Sequence, residues 1–265
     1  KECKNHDVFI NLACISNDTS FQLDEKLSTS INLDSFEPMV LAVKKAGIKR
    51  FIYASSSSVY GLKKEINVNE EMSLEPLTDY SRFKADCEKI LKEYKSENFI
   101  TTIIRPATVC GFSPRQRLDL VVNILTNLAY NNRQITIFGG PQMRPNIHIE
   151  DMTDLYLTLL KIPGRQINGK IFNAGYENNT VSDLGKIVKE SVGDDVNLIF
   201  SKTDDNRSYH ISSDKIKDEL NFHAKHSINE AVLDLVTAFK NKILIDPLNN
   251  EMYFNIKRMN NINLK

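Results

Sequence analysis

Phe51-Ile52-Tyr53-Ala54-Ser55-Ser56-Ser57-Ser58-Val59-Tyr60-Gly61, followed after a polar loop by Tyr80-Ser81-Arg82-Phe83-Lys84, decides how this chain is read. Phe51–Ser55 is an apolar run ending in hydroxyls, the pattern of a strand buried on both faces. Thr78 or Asp79 can cap a helix. Phe83, Cys87, Ile90, Leu91 and Tyr94 then recur at three- and four-residue steps, with Arg82, Asp86, Glu88, Lys89 and Lys92 between them. A phenol and an ammonium four residues apart share a helix face. Tyr80 and Lys84 fall at the edge of the apolar stripe, where they can face a cleft. A hydroxyl from a neighbouring strand end completes a proton-transfer group suited to carbonyl and alcohol chemistry.

The spacing alone is not specific. Tyr-x-x-x-Lys also occurs at Tyr60/Lys64 and Tyr253/Lys257. Gly61 interrupts the first, and the second sits in an Asn-rich tail without a helical stripe. Around Tyr80 the competing reading is an ordinary surface pair, with the ring packed and the ammonium solvated.

Working outward, Asp7–Ala13 (DVFINLA) reads as a buried strand and Ser35–Ala46 as a helix, with Pro38 in its first turn and Gly47 past its end. Ile100–Arg105 is a third strand. Alternating helices and nearly continuous apolar strands predict a parallel α/β sheet. Ligands bind beyond the carboxyl ends of such strands, where Ser56 and Thr108 would lie. Beyond Gly111 the rhythm loosens. Helices are expected over Leu118–Tyr130, Met152–Leu160, Ser182–Val192, Asp214–Leu220 and Ile228–Lys240, and short strands at Ile135–Phe138 and Ile171–Asn173. The Asn-rich end after Pro247 reads as loose or as a peripheral appendage.

The 265 residues carry a net charge of zero and a pI of about 7.1. No global field draws the chain to nucleic acid or anionic membrane. No stretch approaches the roughly 18 apolar residues of a membrane span. Cys3, Cys14, Cys87 and Cys110 are scattered and read as reduced residues of a cytoplasmic protein. His223 and His226 lack supporting ligands, so no metal site is expected.

Several segments then fall into a known order. Asp7–Ala13 resembles the D-x-V-x-H-x-A strand of the extended short-chain dehydrogenase/reductases. Asn32 lies where that family carries an Asn ahead of the next helix. Ser55–Gly61 resembles its S-S-x-x-V-Y-G segment, with Glu70 and Pro76 in the loop leading to the Tyr-x-x-x-Lys helix. Arg105–Gly111 (RPATVCG) is similar to R-P-x-N-V-Y-G, and Arg144–Asp151 (RPNIHIED) to R-x-x-I-H-V-x-D. Asn173-Ala174-Gly175 and Arg207 complete the order. Within the family the likeness is to the NAD-dependent nucleotide-sugar epimerase/dehydratase group.

The resemblance implies a Rossmann-like sheet with a smaller C-terminal α+β substrate domain. Residues 1–106 would belong to the first and 107–265 mainly to the second, with about 145–176 returning to the sheet. It implies Ser56, Tyr80 and Lys84 as the catalytic group. Leu12, Ala13, Asn32, Ser55, Tyr80, Lys84 and Pro106 would hold NAD, with NADP as the alternative. Thr108, Arg144 and Arg207 would hold a nucleotide sugar. Arg115 and Arg117 are further candidates for phosphate contact. A surface or interdomain ion pair is the plainer reading of Arg144 and Arg207, and a solvated loop that of Arg115 and Arg117. A free Tyr titrates near pH 10. Lys84 and a nicotinamide cation would favour its phenolate.

Tyr80 would thus remove a sugar-hydroxyl proton as hydride leaves the same carbon, and epimerisation, at C4 for choice, would follow from re-reduction on the other face. Reduction of a keto-sugar nucleotide is the alternative. The dehydratases of the group resemble S/T-D-E-V-Y-G, and Ser57 and Ser58 stand at the two acidic places, which argues against elimination of water. Thr108 for the family's Asn, Cys110 for its Tyr and Asn11 for its His are departures. The family's two preceding strand–helix crossovers, which open on G-x-x-G-x-x-G, have no counterpart among the ten glycines. At about 30 residues per unit they amount to on the order of 60 residues. The expected sheet therefore lacks its first βαβ units. A homodimeric full-length parent and an incomplete, non-catalytic remnant are both expectations of this reading.

Overall fold

The computed structural model describes residues 2–204 and 208–262. In chain order the first half contains β1 (Val8–Asn11), α1 (Asp18–Phe21), α2 (Glu25–Thr29), α3 (Phe36–Lys45), β2 (Arg50–Ala54), α4 (Asp79–Glu93), β3 (Ile100–Pro106), β4 (Thr108–Cys110), α5 (Val121–Asn132) and β5 (Gln134–Phe138). Then come β6 (Met143–His148), α6 (Ile149–Lys161), α7 (Gly164–Ile167), β7 (Lys170–Ala174), β8 (Glu177–Thr180), α8 (Val181–Val192), β9 (Asn197–Ser201), α9 (Asp214–Leu220), α10 (Ile228–Lys240) and α11 (Asn255–Ile262). A π-turn spans Ser30–Asp34, and 3₁₀ turns lie at Ser57–Tyr60 and Glu251–Tyr253.

The main sheet has the order β1-β2-β3-β7 and is parallel throughout. Successive strand residues enter opposite layers, as the pleat requires. Phe51, Tyr53 and Ile103 pack with Phe36, Val40, Cys87 and Leu91 beneath α3 and α4. Ile52 and Ile104 pack with Met152, Leu155, Leu159 and Phe172 beneath α6. Both faces are thus covered, as in a Rossmann-like sheet. Two smaller sheets follow: β4-β6-β8, where β8 is antiparallel, and β5-β9. α5, α8 and α10 share a core with β5 through Val122, Leu125, Ile135, Ile137, Leu184, Val188 and Val232.

Of the two readings of the tail after Pro247, the structure has the peripheral appendage and not a loose end. α11 and the turn before it brace the loop ahead of α5. Leu118 N–H donates to Tyr253 C=O at 2.8 Å, Arg115 Nη1 donates to Met252 C=O at 2.7 Å, and Asn255 N–H donates to Asp119 Oδ2 at 2.8 Å. Tyr253 and Phe254 also pack against the cluster of Leu118, Leu235, Phe239 and Leu244, contacts that an Asn-rich sequence without a helical stripe did not show.

Candidate active site

Three strand ends and the first turn of α4 meet at one place. Past β2, Ser56 has extended backbone and caps the 3₁₀ turn Ser57–Tyr60, its Oγ accepting Ser58 N–H at 3.2 Å. Gly61 closes that turn at φ +67°, and a Cβ there would fall 1.9 Å from Glu75 C=O. Thr78 caps α4 by accepting Ser81 N–H. The buried face of α4 is Ser81, Lys84, Ala85, Cys87, Glu88 and Leu91. Glu88, one of the charged residues between the apolar positions of α4, is 1% exposed, paired with Arg105 on β3, which is 2% exposed. Their paired burial could not be read from α4 alone.

That pair anchors a polar network under the site. Arg105 donates to Glu88 through Nε at 2.9 Å and Nη2 at 2.7 Å, and through Nη1 to Tyr60 Oη at 2.7 Å. Tyr60 donates to Asn173 Oδ1 at 2.7 Å, and Asn173 N–H donates to Glu70 Oε1 at 2.6 Å. Ser55 Oγ donates to Glu88 Oε1 at 2.5 Å. Burial pushes the Tyr60 phenol up to about 12, and Glu70 also above its ordinary range. Arg105 is held firmly cationic: burial pulls it down, but Glu88 and Tyr60 outweigh it. Tyr60 is therefore a structural residue, which separates it from Tyr80 despite the shared spacing.

Lys84 is 6% exposed. Its Nζ donates to Ala54 C=O at 2.6 Å and lies 4.9 Å from the Tyr53 ring centre and 5.8 Å from that of Tyr80. The Tyr80 phenol is held well above its usual value. Burial is the main cause, with the charges of Cys14 and Asp18 adding to it, while a hydrogen bond with Ser56 and the charge of Arg117 oppose it. Lys84, expected to lower it, is not among these causes, and the protein's own groups keep Tyr80 as a phenol.

Tyr80 separates two cavities. The larger, about 410 Å³, is lined by Asp18, Ser55–Ser58, Tyr80, Pro106–Gly111, Arg115, Arg117 and Tyr209 among others. The smaller, about 150 Å³, is lined by Asn11, Ala13, Cys14, Asn32, Tyr53, Tyr80, Phe83 and Lys84 among others. The residues read from the sequence as catalytic therefore meet, and Thr108 joins them. Of the residues read as cofactor-holding, Ala13, Asn32 and Lys84 border the smaller cavity, while Ser55 and Pro106 border the larger. Asn32 spends its amide on the backbone, accepting Ile15 N–H at 2.8 Å and donating to Ile15 C=O at 2.9 Å, which pins the loop after β1.

Leu12 is exposed and borders neither cavity. Arg144 borders neither as well; it lies 5.6 Å from the ring of Tyr209, which does line the larger one. Arg207 falls outside the described residues. Arg115 and Arg117, for which a solvated loop is the plainer reading and phosphate contact the other, both line the larger cavity. Arg117 donates to Asp119 at 2.8 Å and Ser16 Oγ at 2.9 Å, and its Nη2 is buried with no hydrogen-bond partner among the described residues. The run of two arginines ahead of α5 was the signal. Asp18, Thr78 and Ser81 had no comparable signal, because a short helix and a helix cap bring them in, and Tyr209 lies in a segment without regular structure.

A family model described as the NAD dependent epimerase/dehydratase family matches residues 1–175. The chain is 32% identical over 173 residues to the uncharacterised UDP-glucose epimerase YtcB of Bacillus subtilis, covering 64% of this chain and 53% of that protein. It is 27% identical over 210 residues to UDP-glucose 4-epimerase GEPI48 of Cyamopsis tetragonoloba, covering 71% and 60%. It is 28% identical over 200 residues to the human dTDP-D-glucose 4,6-dehydratase, covering 71% and 56%. The chain thus spans between 53% and 60% of the length of these relatives. A solved structure similar to it is a variant of UDP-glucuronic acid 4-epimerase from Bacillus cereus, in complex with UDP-4-deoxy-4-fluoro-glucuronic acid and NAD. The TM-score is 0.80 at 25% identity, covering 91% of this chain and 77% of that one. UDP-glucose 4-epimerase of Thermotoga maritima, solved with UDP-glucose, gives a TM-score of 0.81 at 23% identity, covering 89% and 78%.

Proposed function

The chain belongs to the NAD dependent epimerase/dehydratase family, and on that premise we propose that the protein epimerises a nucleotide sugar at C4, with Tyr80 as base, Ser56 as its hydroxyl partner and Lys84 as the supporting cation. One arrangement carries this: Ser56 and Tyr80 share the wall of a cavity of about 410 Å³, and the buried Lys84 stands behind the phenol. The relatives described as UDP-glucose 4-epimerases support the reaction class.

The residues present suit the nicotinamide end of NAD. An ammonium has three N–H bonds, of which the Ala54 carbonyl takes one. Ala13, Asn32, Tyr80 and Lys84 border one small cavity beside it. Ala13, Tyr80 and Lys84 would hold that end, while Asn32 keeps the loop after β1 in place. NAD, when bound, supplies a hydride acceptor that later returns the hydride, together with a cationic ring.

Tyr80 is the residue whose protonation that charge changes. Burial and Asp18 keep it a phenol in the protein alone. A cation beside it favours the phenolate, and Lys84 adds to the effect. The phenolate then takes the proton from the sugar C4 hydroxyl, and Ser56 holds that oxygen by a hydrogen bond. In the return half-reaction Tyr80 gives the same proton back to the keto oxygen. Arg117, which lines the larger cavity beside its ion pair with Asp119, suits an anionic group of the substrate.

Elimination of water would need a carboxyl acid–base pair. Ser57 and Ser58 occupy the two places, and Ser58 Oγ is taken up by Ser56 and Ser81. The test is incubation of the full-length protein with UDP-, GDP-, CDP- and dTDP-sugars. Interconversion of C4 epimers without net NADH change is expected, along with a loss of at least about a hundredfold in Tyr80→Phe with the fold intact. Near-normal turnover by Tyr80→Phe would sink the assignment, and stoichiometric NADPH consumption would replace it by reduction.

A further inference from the structure

Four residues far apart in the sequence close a ring of hydrogen bonds beside the larger cavity. Arg117 Nη1 donates to Ser16 Oγ at 2.9 Å, and Arg117 Nε donates to Asp119 Oδ1 at 2.8 Å. Asn255 N–H donates to Asp119 Oδ2 at 2.8 Å, and Asn255 Nδ2 donates to Ser16 Oγ at 3.1 Å. Ser16 and Arg117 line the cavity, and all four residues are half-buried. Ser16 lies on the loop after β1, in the half of the chain that carries Tyr80. Arg117 and Asp119 lie on the loop ahead of α5, and Asn255 begins α11. The ring thus joins two loops of the cavity wall to the C-terminal segment.

The division of labour around Arg117 is clear. Its backbone is fixed from within its own loop, since Gln116 Nε2 and Asn123 Nδ2 both donate to its carbonyl, at 2.9 and 2.8 Å. Its guanidinium is held by Ser16 and Asp119, and Asn255 holds both of these. Asp119 gives one carboxylate oxygen to each partner, so the start of α11 sets the plane in which Arg117 is gripped. Ser16 Oγ accepts from Arg117 and Asn255 together, which uses both its lone pairs. Phe254 C=O accepts Arg258 N–H at 2.9 Å, so Asn255 is the first residue of α11. Its N–H is one of those that a helix start leaves without an internal partner, and a carboxylate suits that end of the helix dipole.

The segment that presents Asn255 is itself anchored. Tyr253 and Phe254 pack against Leu118, Leu235 and Phe239, and Asn127 Nδ2 donates to Pro247 C=O at 2.8 Å. Asn255 does not border the cavity. Its effect on the site must pass through the other members of the ring.

We propose that Asn255 is a positioning residue of the substrate site: from the C-terminal segment, through Ser16 and Asp119, it holds the Arg117 guanidinium ready for an anionic group of the nucleotide sugar. The proposal rests on the larger cavity being the place where that substrate binds. A long side chain left free to turn must be ordered when the substrate arrives, whereas one already gripped need not be. That difference belongs to binding, so it is read in KM and not in kcat. A merely structural Asn255 would lower the unfolding midpoint and leave KM alone.

The test is steady-state epimerisation by the NAD-loaded full-length protein, with whichever UDP-, GDP-, CDP- or dTDP-sugar it turns over. Asn255→Pro removes the N–H and the side-chain amide together. A helix tolerates Pro at its first position, and Phe254 has the extended backbone (φ −128°, ψ 109°) that a residue before Pro requires. KM should rise at least about fivefold, with kcat within about twofold of wild type. Asn255→Ala keeps the N–H and should raise KM by a smaller factor of at least about two. Arg117→Ala should raise KM by itself, and adding Asn255→Pro to it should change KM less than about twofold, because both act through one group. Circular dichroism identifies a misfolded variant, and Asn255→Ala carries the test if Asn255→Pro does not fold. Wild-type KM in the folded Asn255 variants, or a full further rise on the Arg117→Ala background, would overturn the positioning role while the raised KM of Arg117→Ala leaves the substrate contact standing. A wild-type KM in Arg117→Ala, or no turnover by wild type, overturns the substrate reading of the cavity and the positioning role with it.

Discussion

Glu88→Gln isolates the strongest buried interaction beneath the site. Glu88 accepts from Ser55 Oγ, Arg105 Nε and Arg105 Nη2, at 2.5, 2.9 and 2.7 Å. Glutamine keeps the shape and one acceptor oxygen. Its amide NH₂ must face either Arg105 Nη2 or Nε, donor against donor, so one charge-assisted bond is lost in either orientation. The guanidinium, 2% exposed, also loses its counter-charge. Breaking one partner of a buried ion pair costs about 3–5 kcal/mol. For a domain of this size that corresponds to a midpoint fall of roughly 6–20 °C. Equilibrium urea unfolding followed by circular dichroism measures it. The double variant Glu88→Leu with Arg105→Met removes both charges. It should lie within about 1–3 kcal/mol of wild type, the residual being Tyr60 Oη deprived of its donor and Ser55 Oγ of its acceptor. The reasoning is refuted if Glu88→Gln costs less than about 1 kcal/mol, or if the double variant is as unstable as the sum of its singles.

Glu70→Gln should act in the other direction. Burial holds the Glu70 carboxyl above its ordinary value of 4.5 despite the Asn173 N–H, its own backbone, Lys215 and Arg105. The folded state therefore binds this proton more tightly than the unfolded chain. Ionisation penalises the fold above the raised value and not below 4.5, so stability falls as pH rises through that window. Glutamine still accepts from Asn173 and escapes the penalty. Its advantage in urea unfolding should appear near neutral pH and vanish in acid; equal stability at all pH would contradict this. Gly61→Ala should destabilise by at least about 1–3 kcal/mol, since φ is +67° and the Cβ would strike Glu75 C=O. An unchanged unfolding midpoint would show that the loop bearing Glu75 yields freely.

The strands and helices that carry their own periodicity were legible. The run at 51–55 became Arg50–Ala54, and the helix from Tyr80 became Asp79–Glu93. β4, β6, β8 and β9 were missed. Glu177–Thr180 reads ENNT and Met143–His148 contains Arg144 and Pro145, so neither alternates, and each is a strand because a neighbour pairs with it. At the site, Ser56, Tyr80, Lys84 and Thr108 could be found because strand ends and helix starts fix where they point. Arg144 could not be placed, because its distance from the cavity depends on Tyr209, 65 residues later, lying between. The burial of Glu88 could not be read, since polarity on a helix marks solvent unless a partner on another strand is known.

Glu88 also explains why the face of α4 that carries Tyr80 and Lys84 is precise. An apolar helix face fixes a helix only to within what side-chain packing tolerates, because dispersion and burial are non-directional. The buried face of α4 instead carries Ser81, Lys84 and Glu88, each tied by a directional bond to a different partner: Ser58 past β2, Ala54 C=O at the end of β2, and Arg105 on β3. Three such bonds along two turns fix both the rotation of the helix and its position along its axis. Tyr80 is one residue from Ser81 and four from Lys84, so its ring has no independent freedom to leave the strand ends. Leaving any of these polar groups buried without its partner would cost about 1–3 kcal/mol or more. The same bonds that hold α4 against the sheet therefore set the distance between Tyr80 and Ser56, and substitutions at Glu88 should loosen that distance even where the chain remains folded.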